Sequence, residues 1–494
     1  METPIPLNQA NLEKLGSRIP VPGYSRSKDK ADIVHIGVGG FHRAHLAYYL
    51  HQLKQGGAAS AWNITGVGLR EADTKLHEIF NTQDHLYTLM VKCPDGSMTP
   101  EIIGSIIDFK MGITDPEPVI ACMAASDTKI VSLTITEGGY NFNPTTGEFN
   151  FDNLDIQHEL RHPHDPITVY GFLTAALKRR RDAGLPAFTI LSCDNIEHNG
   201  DMARKMLLTF AEAQDADLAA WIAKEVCFPN SMVDRITPVT TLEDIKLLAQ
   251  EHGVQDAWPV TCEPFIQWVV EDKFSNDRPA FENVGVQFVR DVGPYEKMKL
   301  RLLNAGHSVL GILGALHGHP NINACIEDPV FKSYLRAFLD TEATPILGTI
   351  EGIDLEAYKD SLLERFANPN IKDSVSRICS ESSAKLPKFL IPTIQENLAR
   401  GGSIQFATLV IAAWCYYSDK QIDLNGKSLE INDALKDELH EAAEATEYDP
   451  LAFVKQRALF GDLIKNGQFI TTYHVMIEQL DKDGDIKKLM KDLL

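Results

Sequence analysis

The sequence lacks the features that mark secreted, membrane-spanning and nucleic-acid-binding proteins. Its eight cysteines include no Cys-x-x-Cys pair, which predicts reduced thiols in a reducing compartment. The N-terminus has no basic segment followed by an apolar one, and no apolar run approaches the length of a membrane span. Lys and Arg number 47 against 68 Asp and Glu, and a net charge of −21 argues against nucleic acid and anionic membranes as partners. We therefore expect a cytoplasmic protein.

Two common kinds of catalytic site are also missing from the sequence. No serine lies in a Gly-x-Ser-x-Gly elbow, which argues against a serine hydrolase. Three pairs of histidines have short spacings, but no cysteine or carboxylate accompanies them at a matching spacing, so we predict no metal site. The pairs are His42 with His45, His162 with His164, and His317 with His319.

The first 290 residues alternate short apolar, β-branched runs with helical patterns. The predicted strands are residues 32–36, 62–69, 102–109, 129–136 and 188–193. Helices are predicted from the glycines after the first strand to residue 54, and at 168–183 and 203–225. This alternation is typical of a parallel sheet covered on both faces. We predict an α/β fold with a Rossmann-type, doubly wound dinucleotide-binding domain at residues 1–290.

After about residue 290 the β-branched runs largely stop and helical periodicity dominates. The predicted helices are residues 328–340, 354–367, 392–400, 405–418 and 451–463. With 494 residues the chain is long enough for two or three domains. We predict a mainly α-helical substrate and catalytic domain at residues 291–494.

A glycine-rich loop joins the first predicted strand to the first helix. Gly37 allows a tight turn, and Gly39 lets the backbone approach a pyrophosphate, as in dinucleotide-binding fingerprints. His42 stands where such fingerprints usually have a third glycine. We predict that the cofactor is contacted by Ile36, Gly37, Val38, Gly39, Gly40 and Phe41.

Acidic residues follow the second predicted strand. Asp73, or alternatively Glu71, is placed to hold the adenosine ribose hydroxyls and to repel a 2′-phosphate, which favours NAD over NADP. Arg70 lies beside them and could instead pair with a phosphate. A solvated acidic turn is the structural alternative. We assign Arg70 and Asp73 to the cofactor site.

Other strands also end in polar residues, and ligands of doubly wound sheets bind beyond the carboxyl ends of strands. Thr136 and Glu137 follow one strand, and we assign them to the cofactor site. Asn195 follows another and could donate its amide to a carbonyl or alkoxide, or could cap a helix. Asp234 precedes Arg235, and this pair could orient a substrate or form a structural ion pair.

The segment from Lys299 to His307 carries a lysine, an asparagine and a histidine in an apolar run that predicts a helix. In α-helical geometry Lys299 and His307 share a stripe, and Asn304 lies roughly 140° around from Lys299. Gly306 would leave room beside the stripe. A base, an amide and an imidazole can together move a proton to or from a hydroxyl or carbonyl. The alternative is a solvated helix face that carries a lysine.

Taken together, these motifs resemble the polyol-specific long-chain dehydrogenases of the mannitol dehydrogenase family. The Lys-x4-Asn-x2-His pattern at residues 299–307 matches the signature of that family, and the resemblance spans nearly the whole chain. The other matching segments are residues 37–45, 134–140, 192–195, 232–238 and 383–389.

The resemblance implies a metal-independent, cytosolic, monomeric enzyme that interconverts D-mannitol and D-fructose with NAD(H). Lys299 would be the catalytic acid/base, Asn195 and Asn304 would hold the reacting oxygen, and His307 would position the substrate. Glu296 matches a residue thought to gate proton passage to the lysine.

The resemblance also assigns Asp234, Arg377 and Lys385 to substrate binding. Arg377 or Lys385 could instead hold a carboxylate, so a reductase of fructuronate or tagaturonate remains an alternative, as does a D-arabinitol dehydrogenase. An NAD-binding sensor without catalysis is the alternative from another class, and the joint presence of lysine, asparagine and histidine argues against it.

Overall fold

The computed structural model describes residues 3–26, 32–57, 62–143 and 146–494. The chain divides into two compact units. The first unit comprises the described residues of Met1–Cys93 and Ser97–Gly293, and the second comprises Pro94–Gly96 and Pro294–Leu494. Within the described ranges, no helix has both the length and the apolar character that crossing a membrane requires.

The first unit contains the strands of the structure. In chain order they are β1 (Ile5–Pro6), β2 (Ile33–Ile36), β3 (Ile64–Gly68), β4 (Tyr87–Lys92), β5 (Met98–Ile103), β6 (Ile106–Met111), β7 (Ile130–Leu133), β8 (Thr189–Ser192), β9 (Ser231–Asp234), β10 (Val254–Gln255), β11 (Val260–Cys262), β12 (Gln267–Glu271) and β13 (Gln287–Val289).

Five of these strands form an all-parallel sheet with the order β6-β3-β2-β7-β8. The strand order reverses between β2 and β7, and doubly wound sheets bind their ligands at such a reversal, beyond the carboxyl ends of the strands. The predicted Rossmann-type fold class is thereby confirmed. Three smaller sheets have the orders β11-β4-β5, β13-β12-β9 and β1-β10.

The α-helices of the first unit are α1 (Leu12–Leu15), α2 (Gly40–Ala44), α3 (Leu46–Gln55), α4 (Thr74–Thr82), α5 (Glu117–Ala124), α6 (Thr136–Gly139), α7 (Leu154–Arg161), α8 (Val169–Asp182), α9 (Asn199–Gln214), α10 (Ala216–Glu225) and α11 (Leu242–His252). Short 3₁₀ helices lie at Gln9–Asn11, Glu71–Asp73 and Phe281–Val284.

Helices cover both faces of the central sheet and bury its apolar residues. Side chains of α5, α8, α9 and α10 pack in one core with Val34, Val131 and Ile190 of the sheet. Side chains of α3 and α4 pack in the other core with Ile33 and Ile64. This double burial explains why the strands read as continuous apolar runs.

Three predicted elements of the first unit are wrong, because each is divided in the structure. The predicted strand 102–109 falls partly in β5 and partly in β6, which belong to different sheets. The predicted helix 203–225 breaks at Asp215, where φ is −157° and the side chain accepts a hydrogen bond from the N–H of Leu218 to cap α10. The helix after the glycine loop breaks at His45, where φ is −123° and ψ is −94°.

The second unit is mainly helical, and its regular elements within the described residues are helices. Its helices are α12 (Gly293–Lys299, which begins at the last residue of the first unit), α13 (Ala305–His317), α14 (Ile322–Glu327), α15 (Pro329–Phe338), α16 (Leu355–Phe366), α17 (Val375–Cys379), α18 (Ser382–Phe389), α19 (Ile391–Arg400), α20 (Gln405–Lys420), α21 (Lys436–Glu444), α22 (Arg457–Phe460), α23 (Gly467–Asp483) and α24 (Ile486–Leu493). Two π-helical segments lie at Leu300–Asn304 and Leu339–Ala343, and 3₁₀ helices at Thr344–Ile346, Ala445–Glu447, Phe453–Lys455 and Leu463–Lys465.

The helices predicted at 354–367, 392–400 and 405–418 are confirmed as α16, α19 and α20. The one predicted at 328–340 is confirmed as α15, and it continues into a π segment. The helix predicted at 451–463 is wrong, because that stretch consists of short helices separated by Gln456 and by Gly461, whose φ is +58°.

A buried glutamate stabilises the start of α20, a largely buried helix of the second unit. The carboxylate of Glu342 accepts hydrogen bonds from the N–H groups of Phe406 and Ala407, each at 2.8 Å, and from the Ser403 hydroxyl at 3.0 Å. The side chain is fully buried, and this burial raises the pKa of Glu342 to about 7 in spite of the three hydrogen bonds.

We expect Glu342→Gln to remove part of the pH dependence of stability. Because burial raises the folded-state pKa of Glu342 from 4.5 to about 7, the folded chain holds this proton more tightly than the unfolded chain does. The stability that this group contributes is therefore present at low pH and falls by about 3 kcal/mol as pH rises from about 4.5 to about 7. We would measure thermal unfolding of both proteins at about pH 5 and about pH 8. Between these two pH values the wild type should lose more stability than the variant.

The exposed Glu364 on α16 provides the control, since Glu364→Gln should leave the pH dependence of the wild type unchanged. If the wild type and Glu342→Gln lost the same stability over this pH range, the proposed titration of Glu342 would be ruled out.

Candidate active site

The glycine loop after β2 has the backbone geometry that a dinucleotide site requires. Gly37 has φ +92°, and a Cβ atom placed there would lie 2.1 Å from the carbonyl oxygen of Thr134, so no other residue fits. Gly39 is exposed, and a Cβ atom there would come no closer than 3.9 Å to its nearest neighbour. The space in front of Gly39 is therefore open to a phosphate group. Ile36, Val38, Gly40 and Phe41 complete this loop.

His42 replaces the usual third glycine by stacking on a strand residue. Its ring lies 3.3 Å from that of His35 on β2, with an angle of 14° between the ring planes. His35 is held by the hydroxyls of Ser132 at 2.8 Å and Thr134 at 2.9 Å. Burial lowers the pKa of both histidines, so the stacked rings are neutral at neutral pH. The stack brings α2 close to β2, which is the role of the missing glycine.

Asp73 lies at the carboxyl end of β3, where its carboxylate closes a turn. Its Oδ2 accepts hydrogen bonds from the N–H groups of Leu69 at 3.1 Å and Arg70 at 3.0 Å, and its Oδ1 bonds Nη2 of Arg70 at 3.2 Å. The Arg70 side chain is 71% exposed. The two predicted cofactor residues are therefore one structural pair.

A strained turn follows β7, the strand beside β2. Thr136 has φ +61°, and both Thr136 and Glu137 are exposed. Asp194, two residues beyond β8, accepts hydrogen bonds from the N–H of Thr136 at 2.8 Å and the N–H of Ile135 at 3.1 Å. The hydroxyl of Tyr140 donates to the same carboxylate at 2.8 Å. Asp194 thus fixes the turn after β7 from the end of β8.

The same carboxylate places two predicted site segments at one edge of the sheet. Asn195 directly follows Asp194 and is exposed, like Thr136 and Glu137. No role was predicted for Asp194 from the sequence, and its position directly before Asn195 was the available signal.

Asp234 is the last residue of β9 and is buried. Its neighbour Arg235 donates to the carbonyl oxygens of Ala44 at 2.7 Å and Glu263 at 3.1 Å, and its guanidinium lies over the ring of Tyr48. These contacts tie β9 to α2 and hold the backbone from which Asp234 projects.

In the second unit, the segment with the lysine signature is not a continuous α-helix. It is α-helical to Lys299, π-helical over Leu300–Asn304 and α-helical again from Ala305. The N–H of Ala305 donates to the carbonyl of Leu300, five residues back. The prediction that Asn304 lies about 140° from Lys299 is therefore wrong.

The π turn places the three signature residues on one side of the helix. Residues five apart come round to the same side across a π turn, which relates Asn304 to Lys299. Residues three apart are neighbours on an α-helix, which relates His307 to Asn304. The base, the amide and the imidazole thus share one face, and π turns are frequent at functional sites.

Burial on this face is high for such polar groups. Lys299 is 7% exposed and Glu296 is 5% exposed, and lysine is rarely so buried unless it is paired or functional. The Asn304 Oδ1 atom is buried without a hydrogen-bond partner among the described residues. The prediction that Gly306 leaves room beside the stripe is wrong, because a Cβ atom there would lie 3.3 Å from Leu335.

His307 belongs to a chain of polar contacts that includes a residue overlooked in the sequence. Its Nε2 lies 4.0 Å from Oδ2 of Asp373, and its ring packs on Phe366 at 4.2 Å between centroids. Arg377 donates two hydrogen bonds to the Asp373 carboxylate, at 2.7 and 2.6 Å. The four-residue spacing from Asp373 to Arg377 was a signal in the sequence that such a pair forms.

Lys385 lies near Arg377, and its Nζ donates to the carbonyl of Ile378 at 3.1 Å. Burial lowers the pKa of Lys385, and the nearby charge of Arg377 lowers it further. The structure thus brings together His307, Arg377 and Lys385 with Asp373 in the second unit, and the glycine loop, Asp73, Thr136, Glu137 and Asn195 along the sheet edge of the first.

Comparison with known proteins agrees with this architecture. A family model described as the mannitol dehydrogenase Rossmann domain matches residues 31–283, and one described as the mannitol dehydrogenase C-terminal domain matches residues 291–481. Mannitol 2-dehydrogenase of Aspergillus fumigatus is 43% identical over 99% of each chain. The enzyme of the same name from Pyricularia oryzae is 42% identical over 98% of each chain.

Two solved structures are similar along nearly the whole chain. Pseudomonas fluorescens mannitol 2-dehydrogenase, in a ternary complex with NAD and D-mannitol, has a TM-score of 0.87 and 43% identity over 99% of both chains. A substrate-free D-sorbitol dehydrogenase has a TM-score of 0.91 and 36% identity over 97% of this chain and 99% of its own. From the two matching family domains and these relatives, the chain belongs to the mannitol dehydrogenase family.

Proposed function

We propose that this protein is an NAD-dependent mannitol 2-dehydrogenase, which interconverts D-mannitol and D-fructose. The observation that carries the proposal is the single helix face on which a π turn places buried Lys299 together with half-buried Asn304 and His307. The 43% identity to mannitol 2-dehydrogenases over 99% of the chain supports the choice of substrate.

The first unit has the features needed to hold NAD. Gly37 permits the turn of the loop, and Gly39 leaves backbone open to a pyrophosphate. Asp73 stands at the end of the neighbouring strand, where ribose hydroxyls are held in this fold. Thr136 and Glu137 would contact the cofactor from the turn after β7. When bound, NAD supplies the hydride acceptor for the reaction.

In the proposed oxidation, neutral Lys299 accepts the proton of the C2 hydroxyl while the C2 hydride leaves the carbon. Asn195 and Asn304 donate hydrogen bonds to the oxygen as negative charge develops on it, an effect typically worth about 10²- to 10³-fold in turnover for each donor. In the reverse reaction, protonated Lys299 returns the proton to the oxygen of the ketose. Glu296, buried one helical turn before Lys299, would pass the proton to or from solvent.

The remaining polar residues would bind the polyol chain. His307 would position the substrate, with Asp234, Arg377 and Lys385 holding its other hydroxyls. Because Asp373 holds the Arg377 guanidinium through two hydrogen bonds, much of that positive charge is already neutralised. A neutral polyol therefore suits the site better than the carboxylate of fructuronate or tagaturonate. We also propose that the enzyme works as a monomer without a catalytic metal.

D-Sorbitol is a second candidate substrate, favoured by the 36% identity to a D-sorbitol dehydrogenase with a TM-score of 0.91. Oxidation of D-mannitol or of D-sorbitol at C2 yields the same ketose, so fructose reduction alone does not distinguish them.

Initial-rate assays of NADH formation test the proposal. With D-mannitol, D-sorbitol and D-arabinitol as substrates, we expect the highest kcat/KM for D-mannitol with NAD⁺, and a much lower value with NADP⁺. The reverse assays would use fructose, fructuronate and tagaturonate. A higher kcat/KM for either uronate than for fructose would overturn the substrate assignment, and a preference for NADP⁺ would overturn the role given to Asp73.

A further inference from the structure

Two histidines and an aspartate that the proposed reaction does not use lie close together in the second unit. His317 ends α13, His319 follows the left-handed glycine cap of that helix, and Asp328 caps the N-terminus of α15. One possible ligand atom from each residue lies within 4.8 Å of those from the other two. No carboxylate has a matching spacing in the sequence, but the fold brings Asp328 to these histidines.

The donor atoms of the two histidines are not engaged by other described groups. Nδ1 of His317 and Nε2 of His319 are buried and have no hydrogen-bond partner among the described residues. No hydrogen bond to a described residue therefore competes for these two ring nitrogens.

The spacing of the ligands is close to that of a metal site. Nε2 of His319 lies 3.7 Å from Oδ2 of Asp328, and two ligands of a tetrahedral zinc ion are about 3.4 Å apart. The side chain of His319 is 19% exposed and that of Asp328 is 10% exposed, so an ion can reach them. The other carboxylate oxygen, Oδ1, is engaged by the N–H of Val330 at 3.0 Å, which fixes the direction of Oδ2.

Positive charge is already held at this position. The ammonium group of Lys487 on α24 bonds Oδ2 of Asp328, the oxygen that faces His319. The carboxyl end of α13 also favours a cation, because the helix dipole is negative there. Lys487 therefore competes for the same oxygen that a metal ion would take.

We propose that His317, His319 and Asp328 form a binding site for one divalent transition-metal ion of the zinc class. Two imidazoles and a carboxylate are a ligand set that zinc accepts, with water in the fourth position. Metal binding would displace Lys487 from Asp328. The ion pair between α24 and α15 would then be lost, and the metal ion would join α13 to α15 instead. This site is separate from the Lys299 face, so it stands whether or not the proposed reaction is correct.

Calorimetric titration of zinc into the full chain, after treatment with a chelator, tests the proposal. We expect one equivalent of zinc bound by the wild type, with affinity weakened at least about a hundredfold in His319→Ala. Lys487→Ala should bind zinc about tenfold more tightly, because the competing ammonium is gone.

His474→Ala is the matched control, since His474 lies 3.6 Å from Glu478 in a histidine–carboxylate pair on α23 and should not affect the titration. Equal affinity in the wild type and in folded His319→Ala would overturn the proposal. Should His319→Ala fail to fold, Lys487→Ala decides on its own, because unchanged or weaker zinc binding in that variant would equally overturn it.

Discussion

Replacement of Lys299 by alanine is expected to lower kcat for mannitol oxidation and fructose reduction by about 10²- to 10⁴-fold, the range for loss of a general acid–base group. Lys299 is buried on the helix face that also carries Asn304 and His307, and the proposed mechanism has no other proton acceptor for the reacting hydroxyl. Because the lysine would act on the reacting oxygen, the variant should lose kcat while NADH binding changes little. Stopped-flow and steady-state assays, with NADH binding followed by fluorescence, measure both quantities.

Lys297 is the control for this experiment. It lies two residues earlier on α12, and its ammonium group bonds Glu396 and the carbonyl of Ile346. Lys297→Ala should therefore reduce stability without a comparable loss of kcat. Added small primary amines should restore part of the activity of Lys299→Ala and none to Lys297→Ala. Turnover within tenfold of the wild type in Lys299→Ala would rule out the assigned role.

Replacement of Asp194 by asparagine is expected to weaken NADH binding by about 10- to 100-fold, which corresponds to about 1.4 to 2.7 kcal/mol. The carboxylate of Asp194 accepts hydrogen bonds from two backbone N–H groups and so holds Thr136 at φ +61°. A positive φ at a non-glycine residue costs about 1–3 kcal/mol and persists only while the surroundings enforce it. An amide in place of one carboxylate oxygen would face an N–H group, so the turn should relax away from its cofactor-binding shape.

Tyr140→Phe provides the matched comparison, because it removes the third donor to Asp194 and leaves both backbone hydrogen bonds intact. That variant should lose about 1 kcal/mol of stability and retain NADH affinity close to that of the wild type. Asp194→Glu should recover part of the affinity. If Asp194→Asn and Tyr140→Phe lost equal affinity, Asp194 would be a stabilising residue and not one that positions the cofactor turn.

The sequence predicted the sheet and the cofactor loop because both depend on local patterns. Continuous β-branched runs identify strands buried on two faces, and Gly37 is required by a backbone angle that only glycine adopts easily. His42 shows the limit of this approach, since its stacking on His35 compensates for the missing glycine only once the strand and helix have come together.

The parts of the site that escaped prediction depend on contacts between distant residues. Asp194 reaches Thr136 across 58 positions of sequence, and no local pattern encodes that approach. Asp328 meets His317 and His319 only through the turn of the chain around α14. The predicted angle between Lys299 and Asn304 is wrong because it assumed a continuous α-helix. A π turn is fixed by tertiary packing and has no characteristic amino-acid composition.

That π turn lets the helix accommodate a one-residue difference in the spacing of the signature. In a π turn the N–H bonds the carbonyl five residues back instead of four, so the turn contains one more residue than an α-helical turn. Deleting Leu302 would let α geometry run through, and the later residues of α13 would keep nearly the same direction, because four α-helical steps turn about as far as the five steps of the π segment. A homologue aligned with a one-residue gap between Lys299 and Asn304 would therefore still present its asparagine and histidine beside its lysine, on an α-helix without the π turn.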